Sequence, residues 1–102
     1  MIAATDNRVF VSAASVWEIA IKRRIGRIGF EGGIAAAVHA NSFNALSCDL
    51  DDCELAGSLE WDHSDPFDRM IVAQAQRREL TLVTADSVVM AWPGVAMIRA
   101  QT

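Results

Sequence analysis

The chain has 102 residues, of which 52% are apolar, and a formal net charge of −4 at pH 7. This length fits one domain with a hydrophobic core, and the lack of an apolar run of about 18 residues argues against a membrane-spanning helix. The net negative charge argues against a large basic surface for nucleic acid, although a local basic strip can still hold phosphate. No secretory leader pattern is present, and Cys48 and Cys53 have no companions at zinc-ligand spacing, so we expect free thiols in a cytoplasmic protein.

Strands and helices alternate along the chain. Residues 1–4 are predicted to be the end of a helix, and Asp6 with Asn7 is a turn signal. Short β-rich apolar runs predict strands over 8–12, 45–48, 80–84 and 95–98. Capping residues and apolar periodicity predict helices over 14–25, 32–41, 51–59 and 66–78, with a short helix beginning at Asp86. The alternation predicts a single α/β domain over residues 1–102, with helices on both faces of a mainly parallel sheet.

The helix predicted over 14–25 combines an apolar stripe with a basic end. The apolar stripe consists of Trp17, Ile21, Ile25 and Ile28. The first two turns are apolar nearly all round, which predicts that they are buried, and Glu18 is the one charge in them. The basic strip consists of Lys22, Arg23, Arg24 and Arg27. It suits the C-terminal end of a helix and is also the candidate contact for phosphate groups.

Three acidic residues are expected at one edge of this sheet. Glu18 lies one to two turns after the first predicted strand, Asp68 lies in the first turn of a helix, and Asp86 directly follows a strand. Asp68 shares its helix face with Ile71 and Val72, so its carboxylate should point toward the interior. Because ligand sites of parallel sheets lie beyond the C-terminal ends of the strands, we expect the three acids to converge.

Each acid also has an interpretation as part of a helix cap. Glu18 follows Ser15 by three residues, and Asp68 follows Asp65 by three, which is the spacing of a capping box. Asp86 can cap the short last helix. Capping alone, however, gives no reason for acids to lie on apolar faces at the same edge of a sheet.

Carboxylates that lie close together repel each other, and a bound cation would offset this repulsion. Two carboxylates about 4 Å apart repel each other by about 4 kcal/mol at an effective dielectric constant of about 20, and one takes up a proton unless a metal is bound. Oxygen ligands favour Mg²⁺ or Mn²⁺, which can activate water for phosphodiester hydrolysis. His39 and His63 are isolated in the sequence, so neither is assigned a catalytic role, and the three tryptophans are interpreted as packing residues.

Three segments carry a family resemblance when taken together. They are VFVS at 9–12 with SVWEIAIK at 15–22, DPFDRMIVAQA at 65–75, and LVTAD at 82–86. In order and spacing they resemble the second-, third- and fourth-acid segments of the PIN-domain ribonucleases, specifically the VapC-type toxins of bacterial toxin–antitoxin pairs. The resemblance extends from about residue 5 to residue 99.

The resemblance implies a three-layer α/β/α fold and a Mg²⁺- or Mn²⁺-dependent endoribonuclease. It further implies a homodimer that is inhibited by an antitoxin, whose C-terminal segment would occupy the active-site groove. By position, the implied catalytic, metal-binding carboxylates are Glu18, Asp68 and Asp86. The implied accessory residues are Asp65, Ser12 and Thr84.

The chain departs from the family pattern at its start. Members of the family open with a strand that ends in Asp, followed by a helix, and this unit is missing here, so the fold is expected to be truncated at its N-terminus. Asp6 does not replace the missing acid, because it lies in the turn before a different strand. The sheet should then lack a central strand, which exposes apolar surface and favours dimerisation.

Two other functions are compatible with the sequence. The chain could be a catalytically inactive PIN-fold module that binds an antitoxin or a second copy of itself. It could also be a different Mg²⁺-dependent α/β hydrolase, such as a phosphatase, in which case Asp86 is the candidate nucleophile because it directly follows a strand.

Overall fold

The computed structural model describes residues 2–5, as backbone, and residues 8–99. The strands in these ranges are β1 (Ile2–Thr5), β2 (Arg8–Ser12), β3 (Asn44–Leu46), β4 (Thr81–Thr84) and β5 (Met97–Arg99). The helices are α1 (Ala13–Arg24), α2 (Ile34–Ala40), α3 (Leu50–Ser58), α4 (Pro66–Arg77) and α5 (Ser87–Met90). From β2 onward each element confirms a predicted strand or helix, with small differences at the ends.

The strands form one sheet in the order β3-β2-β1-β4-β5. Strand β2 is parallel to β3, β4 is parallel to β5, and β1 runs antiparallel to both β2 and β4. Four of the five described strands therefore run in the same direction, which confirms the predicted α/β class with a mainly parallel sheet. Their C-terminal ends, including Ser12 and Thr84, lie at one edge of the sheet.

The prediction of a helix end over residues 1–4 is wrong, because Ile2–Thr5 forms the central strand. Without β1, strands β2 and β4 would each leave a row of backbone groups unpaired in the middle of the sheet, and pairing on both sides of β1 satisfies them. Thr5 pairs with Arg8, so only two residues separate the strands, and a connection this short permits only antiparallel pairing. The predicted turn at Asp6 and Asn7 lies outside the described residues.

Helix α4 lies at the centre of the hydrophobic core. Its residues Ile71, Val72, Ala73 and Ala75 are at most 3% exposed, and they belong to one buried cluster with Leu82 of β4. The cluster also takes in Ala56 of α3, which packs against α4. None of the described helices is long and apolar enough to cross a membrane. The thiols of Cys48 and Cys53 are free, as predicted.

The prediction that the first turns of helix α1 are buried is correct only in part, because Trp17 is exposed whereas Val16, Ile19 and Ala20 are half-buried. It turns the small residues Ala14 and Ser15 inward, and both are about 6% exposed. The apolar stripe instead faces outward, with Trp17 64% and Ile25 62% exposed. The helix begins one residue after β2, with Ser12 as its N-cap, so this register and not its hydrophobicity decides which face packs against α2 and α4.

Candidate metal site

The start of helix α4 fixes two carboxylates. The Asp65 side chain caps the helix, and its Oδ1 accepts hydrogen bonds from the backbone N–H of Phe67 at 2.9 Å and of Asp68 at 3.1 Å. Pro66 occupies the first helical position, where its missing N–H costs nothing. Asp68 then lies on the buried face of α4 and is only 8% exposed, as its helical position predicts.

Asp68 does not complete the capping box suggested by its spacing from Asp65. Its Oδ2 instead lies 2.6 Å from Nε2 of His63, in a hydrogen bond between the imidazole ring and the carboxylate. The His63 ring also packs against Trp61, with 4.8 Å between the ring centroids. His63 therefore has the orienting contacts that could not be identified from its position in the sequence.

Arg69 holds the connection between α3 and α4 in place. Its guanidinium donates hydrogen bonds to backbone oxygens of the last turn of α3 and of this connection, at distances of 2.7 to 3.4 Å. The acceptors are the carbonyl oxygens of Ala56, Gly57, Leu59, Trp61 and His63. Five donors in one rigid group suit this arrangement, and they fix the backbone from which the His63 side chain extends.

His63, Asp65 and Asp68 form a trio of candidate metal ligands. Each offers one ligand atom, and these three atoms lie within 4.8 Å of one another. A divalent ion that binds its ligands at about 2.1 Å holds donor atoms about 3 to 4 Å apart, so small side-chain adjustments would let the trio bind one ion. One Asp65 oxygen is already bonded to the helix N-terminus, which leaves the other for a ligand.

The charges around Asp68 also favour a cation. Burial raises the pKa of the Asp68 carboxyl above its ordinary value, and the negative charges of Asp65 and Asp86 raise it further. The hydrogen bond and the charge of His63 lower the pKa but do not cancel these effects. A buried carboxylate with a raised pKa and acidic neighbours is one that a bound divalent ion would stabilise, so the residues present fit a metal ion.

Asp86 lies near Asp68, but its side chain is hydrogen-bonded to the backbone of the helix that follows it. It caps α5, and its Oδ1 accepts hydrogen bonds from the backbone N–H of Val88 at 2.8 Å and of Val89 at 3.3 Å. The hydroxyl of Thr84 accepts a hydrogen bond from the backbone N–H of Asp86 at 3.0 Å. These bonds hold the end of β4 in the conformation that brings Asp86 within electrostatic reach of Asp68.

Glu18 lies outside the trio. Helix α1 is capped by Ser12, whose hydroxyl accepts a hydrogen bond from Ala14 N–H at 3.0 Å, so the capping box suggested for Ser15 and Glu18 does not form. The half-buried Glu18 carboxylate instead lies 3.3 Å from the ammonium group of Lys22. The Ser15 hydroxyl is buried without a hydrogen-bond partner among the described residues.

An aromatic contact joins the two helices that carry Glu18 and Asp68. The rings of Trp17 and Phe67 meet edge to face, with 5.1 Å between their centroids. Trp17 directly precedes Glu18, and Phe67 directly precedes Asp68, so this contact places the acidic turns of α1 and α4 next to each other. A groove of about 410 Å³ between these turns is almost wholly apolar and is lined in part by both rings.

The basic strip at the end of α1 is exposed to solvent. Lys22 pairs with Glu18, and the guanidinium of Arg23 donates a hydrogen bond to the carbonyl oxygen of Gly32 at 2.7 Å. Within residues 8–99, the side chains of Arg24 and Arg27 make no hydrogen bond or ion pair. These two residues are therefore the members of the strip that are free to contact an anion.

Comparison with known proteins gives a family assignment. The family model for the PIN domain matches residues 1–90, whereas no curated protein and no solved structure matches the chain. PIN domains have a three-layer α/β/α fold and are generally nucleases that use divalent metal ions. The match spans most of the sequence and agrees with the mainly parallel sheet and the acidic site at its edge, so this chain belongs to the PIN domain family.

Proposed function

We propose that this chain is a cytoplasmic, VapC-type endoribonuclease that hydrolyses RNA phosphodiester bonds with Mg²⁺ or Mn²⁺. The observation that carries the proposal is the buried carboxylate of Asp68, whose pKa is raised by burial and by Asp65 and Asp86 in a chain of the PIN family. A divalent ion would stabilise the ionised form of this carboxyl, and the neighbouring acids would add to the attraction for the ion.

The ion would be held at the edge of the sheet by residues from three elements. Asp68 is the central ligand, Asp65 offers its free oxygen, and Asp86 adds negative charge from the end of β4. Glu18 is the proposed carboxylate from α1, and it would exchange its ion pair with Lys22 for the metal. When bound, the ion supplies charge stabilisation at the phosphoryl oxygen and lowers the pKa of the attacking water.

The protein's own part is to hold these carboxylates and to position RNA. Arg24 and Arg27 are free to contact RNA phosphates, and Lys22 would join them once Glu18 turns to the ion. The central strand Ile2–Thr5 carries no acidic residue. Among the described residues, the carboxylates proposed for the site therefore come from the later segments.

The decisive experiment measures metal binding and RNA cleavage in the Asp68→Asn variant. Asn keeps the size of the side chain and removes its charge, so Mn²⁺ binding by calorimetry and metal-dependent RNA cleavage should both be lost. The matched control is Asp62→Asn, since Asp62 is an exposed acid of the same connection that lies outside the trio. Cleavage by Asp68→Asn at the wild-type rate would overturn the proposal.

A catalytically inactive binding module is the second candidate, and the exposed apolar stripe of α1 favours it. Trp17 and Ile21 on α1, and Ile25 and Ile28 at and just after its C-terminal end, are each at least 38% exposed and together form an exposed group of large apolar residues. An antitoxin segment or a second copy of the chain would cover this stripe. Association through the stripe together with no Mn²⁺ binding would favour this candidate, whereas association with Mn²⁺ binding agrees with a dimeric toxin.

A further inference from the structure

We propose that His63 is a nitrogen ligand of the metal ion and that it makes the site prefer Mn²⁺ over Mg²⁺. This inference rests on the proposed function and concerns the choice of ion at the same site. The first observation is the position of the ring: one ring nitrogen of His63 and one carboxylate oxygen each of Asp65 and Asp68 lie within 4.8 Å of one another. Nε2 is the nitrogen that lies 2.6 Å from Asp68.

The His63 ring is held in place before any ion binds. Its backbone oxygen accepts a hydrogen bond from the Arg69 guanidinium at 3.0 Å, and its ring packs against Trp61 at 4.8 Å between centroids. Trp61 is anchored in the same way, since its backbone oxygen also accepts from Arg69, at 2.7 Å. A ligand fixed on both its backbone and its ring loses little conformational freedom on binding.

The 2.6 Å contact between Nε2 of His63 and Oδ2 of Asp68 is also what neighbouring ligands of one ion require. Ligands at adjacent positions of an ion, each at about 2.1 Å, lie about 3 Å apart, so these two atoms need to separate only slightly. For a neutral imidazole with its hydrogen on Nε2, that proton passes through solvent to Nδ1, so the N–H bond at Nε2 is replaced by one at Nδ1 and no net proton is released. Nε2 would then offer its lone pair to the ion, and the Asp68 carboxylate would remain ionised.

The donor set determines which ion is preferred. Carboxylate oxygens alone bind Mg²⁺ and Mn²⁺ by the same chemistry, and Mg²⁺ gives up its water ligands reluctantly. An imidazole nitrogen binds first-row transition ions, Mn²⁺ included, better than it binds Mg²⁺, so replacing one oxygen or water ligand by His63 raises the affinity for Mn²⁺ without an equal gain for Mg²⁺. Of these two ions, Mn²⁺ is therefore the one that a site of carboxylates and His63 should prefer.

The test compares Mn²⁺ and Mg²⁺ affinities, measured by calorimetry on the full chain, in wild type and in His63→Asn. We expect His63→Asn to weaken Mn²⁺ binding at least about tenfold while Mg²⁺ binding changes much less, so that the preference for Mn²⁺ falls. His39→Asn is the control, because His39 is exposed on α2 and lies outside the trio. Equal weakening of both ions would mean that His63 only positions Asp68 and would overturn the proposal, as would unchanged affinities.

A spectroscopic measurement separates a ligand from a neighbour. Electron spin-echo spectra of bound Mn²⁺ should show coupling to an imidazole nitrogen in wild type and in His39→Asn, and none in His63→Asn. Bound Mn²⁺ without nitrogen coupling in wild type would overturn the inference about His63 and leave the proposed function standing. Mn²⁺ binding that survives Asp68→Asn would overturn the proposed function itself, so the two failures can be told apart.

Discussion

The guanidinium of Arg69 and the backbone oxygen of His63 are joined by a hydrogen bond of 3.0 Å, and this bond ties the candidate metal site to the body of the protein. Arg69 is the residue after Asp68, so one turn of α4 supplies both the central carboxylate and the group that fixes its partner histidine. The same guanidinium also reaches the backbone of α3. The position of His63 therefore depends on Arg69 as much as on its own side chain.

We predict that Arg69→Lys lowers both stability and metal affinity. Lysine keeps the charge but cannot reproduce the fork of donors that reaches five carbonyl oxygens, so the free energy of unfolding should fall by about 2 kcal/mol in urea titrations. Mn²⁺ affinity should fall as well, because His63 and its connection become less ordered. Arg24→Lys is the control, since Arg24 is exposed and makes no hydrogen bond or ion pair within residues 8–99. Equal stability of the two variants would contradict this role of Arg69.

Asp68→Asn should make the metal-free protein more stable at neutral pH while it abolishes metal binding. Burial and the charges of Asp65 and Asp86 raise the pKa of Asp68 in the folded state above its value in the unfolded chain. The folded state is therefore most favoured below the unfolded pKa, and this stability is lost as the pH rises through the folded pKa, so the charged form of Asp68 costs the folded state free energy. Thermal unfolding in a chelator should show a higher Tm for the variant at pH 7 and a smaller difference at pH 4. A lower Tm for the variant at pH 7 would show that the carboxylate is stabilising.

The carboxylate of Asp52 should make stability depend on pH in the direction opposite to that expected for Asp68. Asp52 has no exposed surface, and although burial by itself raises its pKa, the backbone N–H of Asp49 and the side chains of Arg78, Arg77 and Gln74 lower it to about 2. A pKa below the unfolded value of about 3.8 contributes about 2 kcal/mol of stability above that pH, and this is lost as the pH falls toward 2. Urea titrations of wild type and Asp52→Asn between pH 7 and pH 2 measure this pH-dependent part of the free energy of unfolding. The variant should be less stable at pH 7 and lose less stability on acidification, and parallel losses in the two proteins would contradict the assignment.

Local sequence signals predicted the start of α4 well, because everything they involve lies within a few residues. Asp65 and Pro66 are a cap and a first helical residue in the sequence and in the structure. The helical period likewise placed Asp68 on the buried face, where it is found. Caps and helical faces depend on the chain's own geometry, so tertiary packing had little opportunity to change them.

Features that depend on distant partners could not be predicted in the same way. Residues 2–5 form a strand because β2 and β4, far apart in sequence, leave unpaired backbone groups between them. The role of His63 depends on a connection that Arg69 holds, and its spacing of five residues from Asp68 is not a helical or strand spacing. Hydrophobicity likewise indicated that Trp17 is buried, but the register of α1 after β2 turns it outward.

The apolar stripe of α1 predicts association between chains. Ile21→Glu places a charge in the middle of the stripe at a residue that is 38% exposed, so it should leave the fold intact and prevent association. Light scattering after size-exclusion chromatography should give twice the chain mass for wild type and the single-chain mass for the variant. Leu50→Glu is the control, because Leu50 is 88% exposed on α3 and lies outside the stripe. A variant that still forms dimers would show that another surface joins the chains.

Conservative replacements of Glu18 and Asp86 should show which of these two carboxylates contributes more to Mn²⁺ affinity. Asp86 is close enough to raise the pKa of Asp68, and Asn at this position can still cap α5, so Asp86→Asn should weaken Mn²⁺ binding without unfolding the helix. Glu18 is already paired with Lys22 and must give up that contact to bind the ion, so Glu18→Gln should weaken binding less. Calorimetric titration with Mn²⁺ should therefore give the affinity order wild type, Glu18→Gln, Asp86→Asn, with no binding in Asp68→Asn. A larger loss from Glu18→Gln than from Asp86→Asn would mean that α1 moves toward the ion on binding, and that Glu18 rather than Asp86 completes the site.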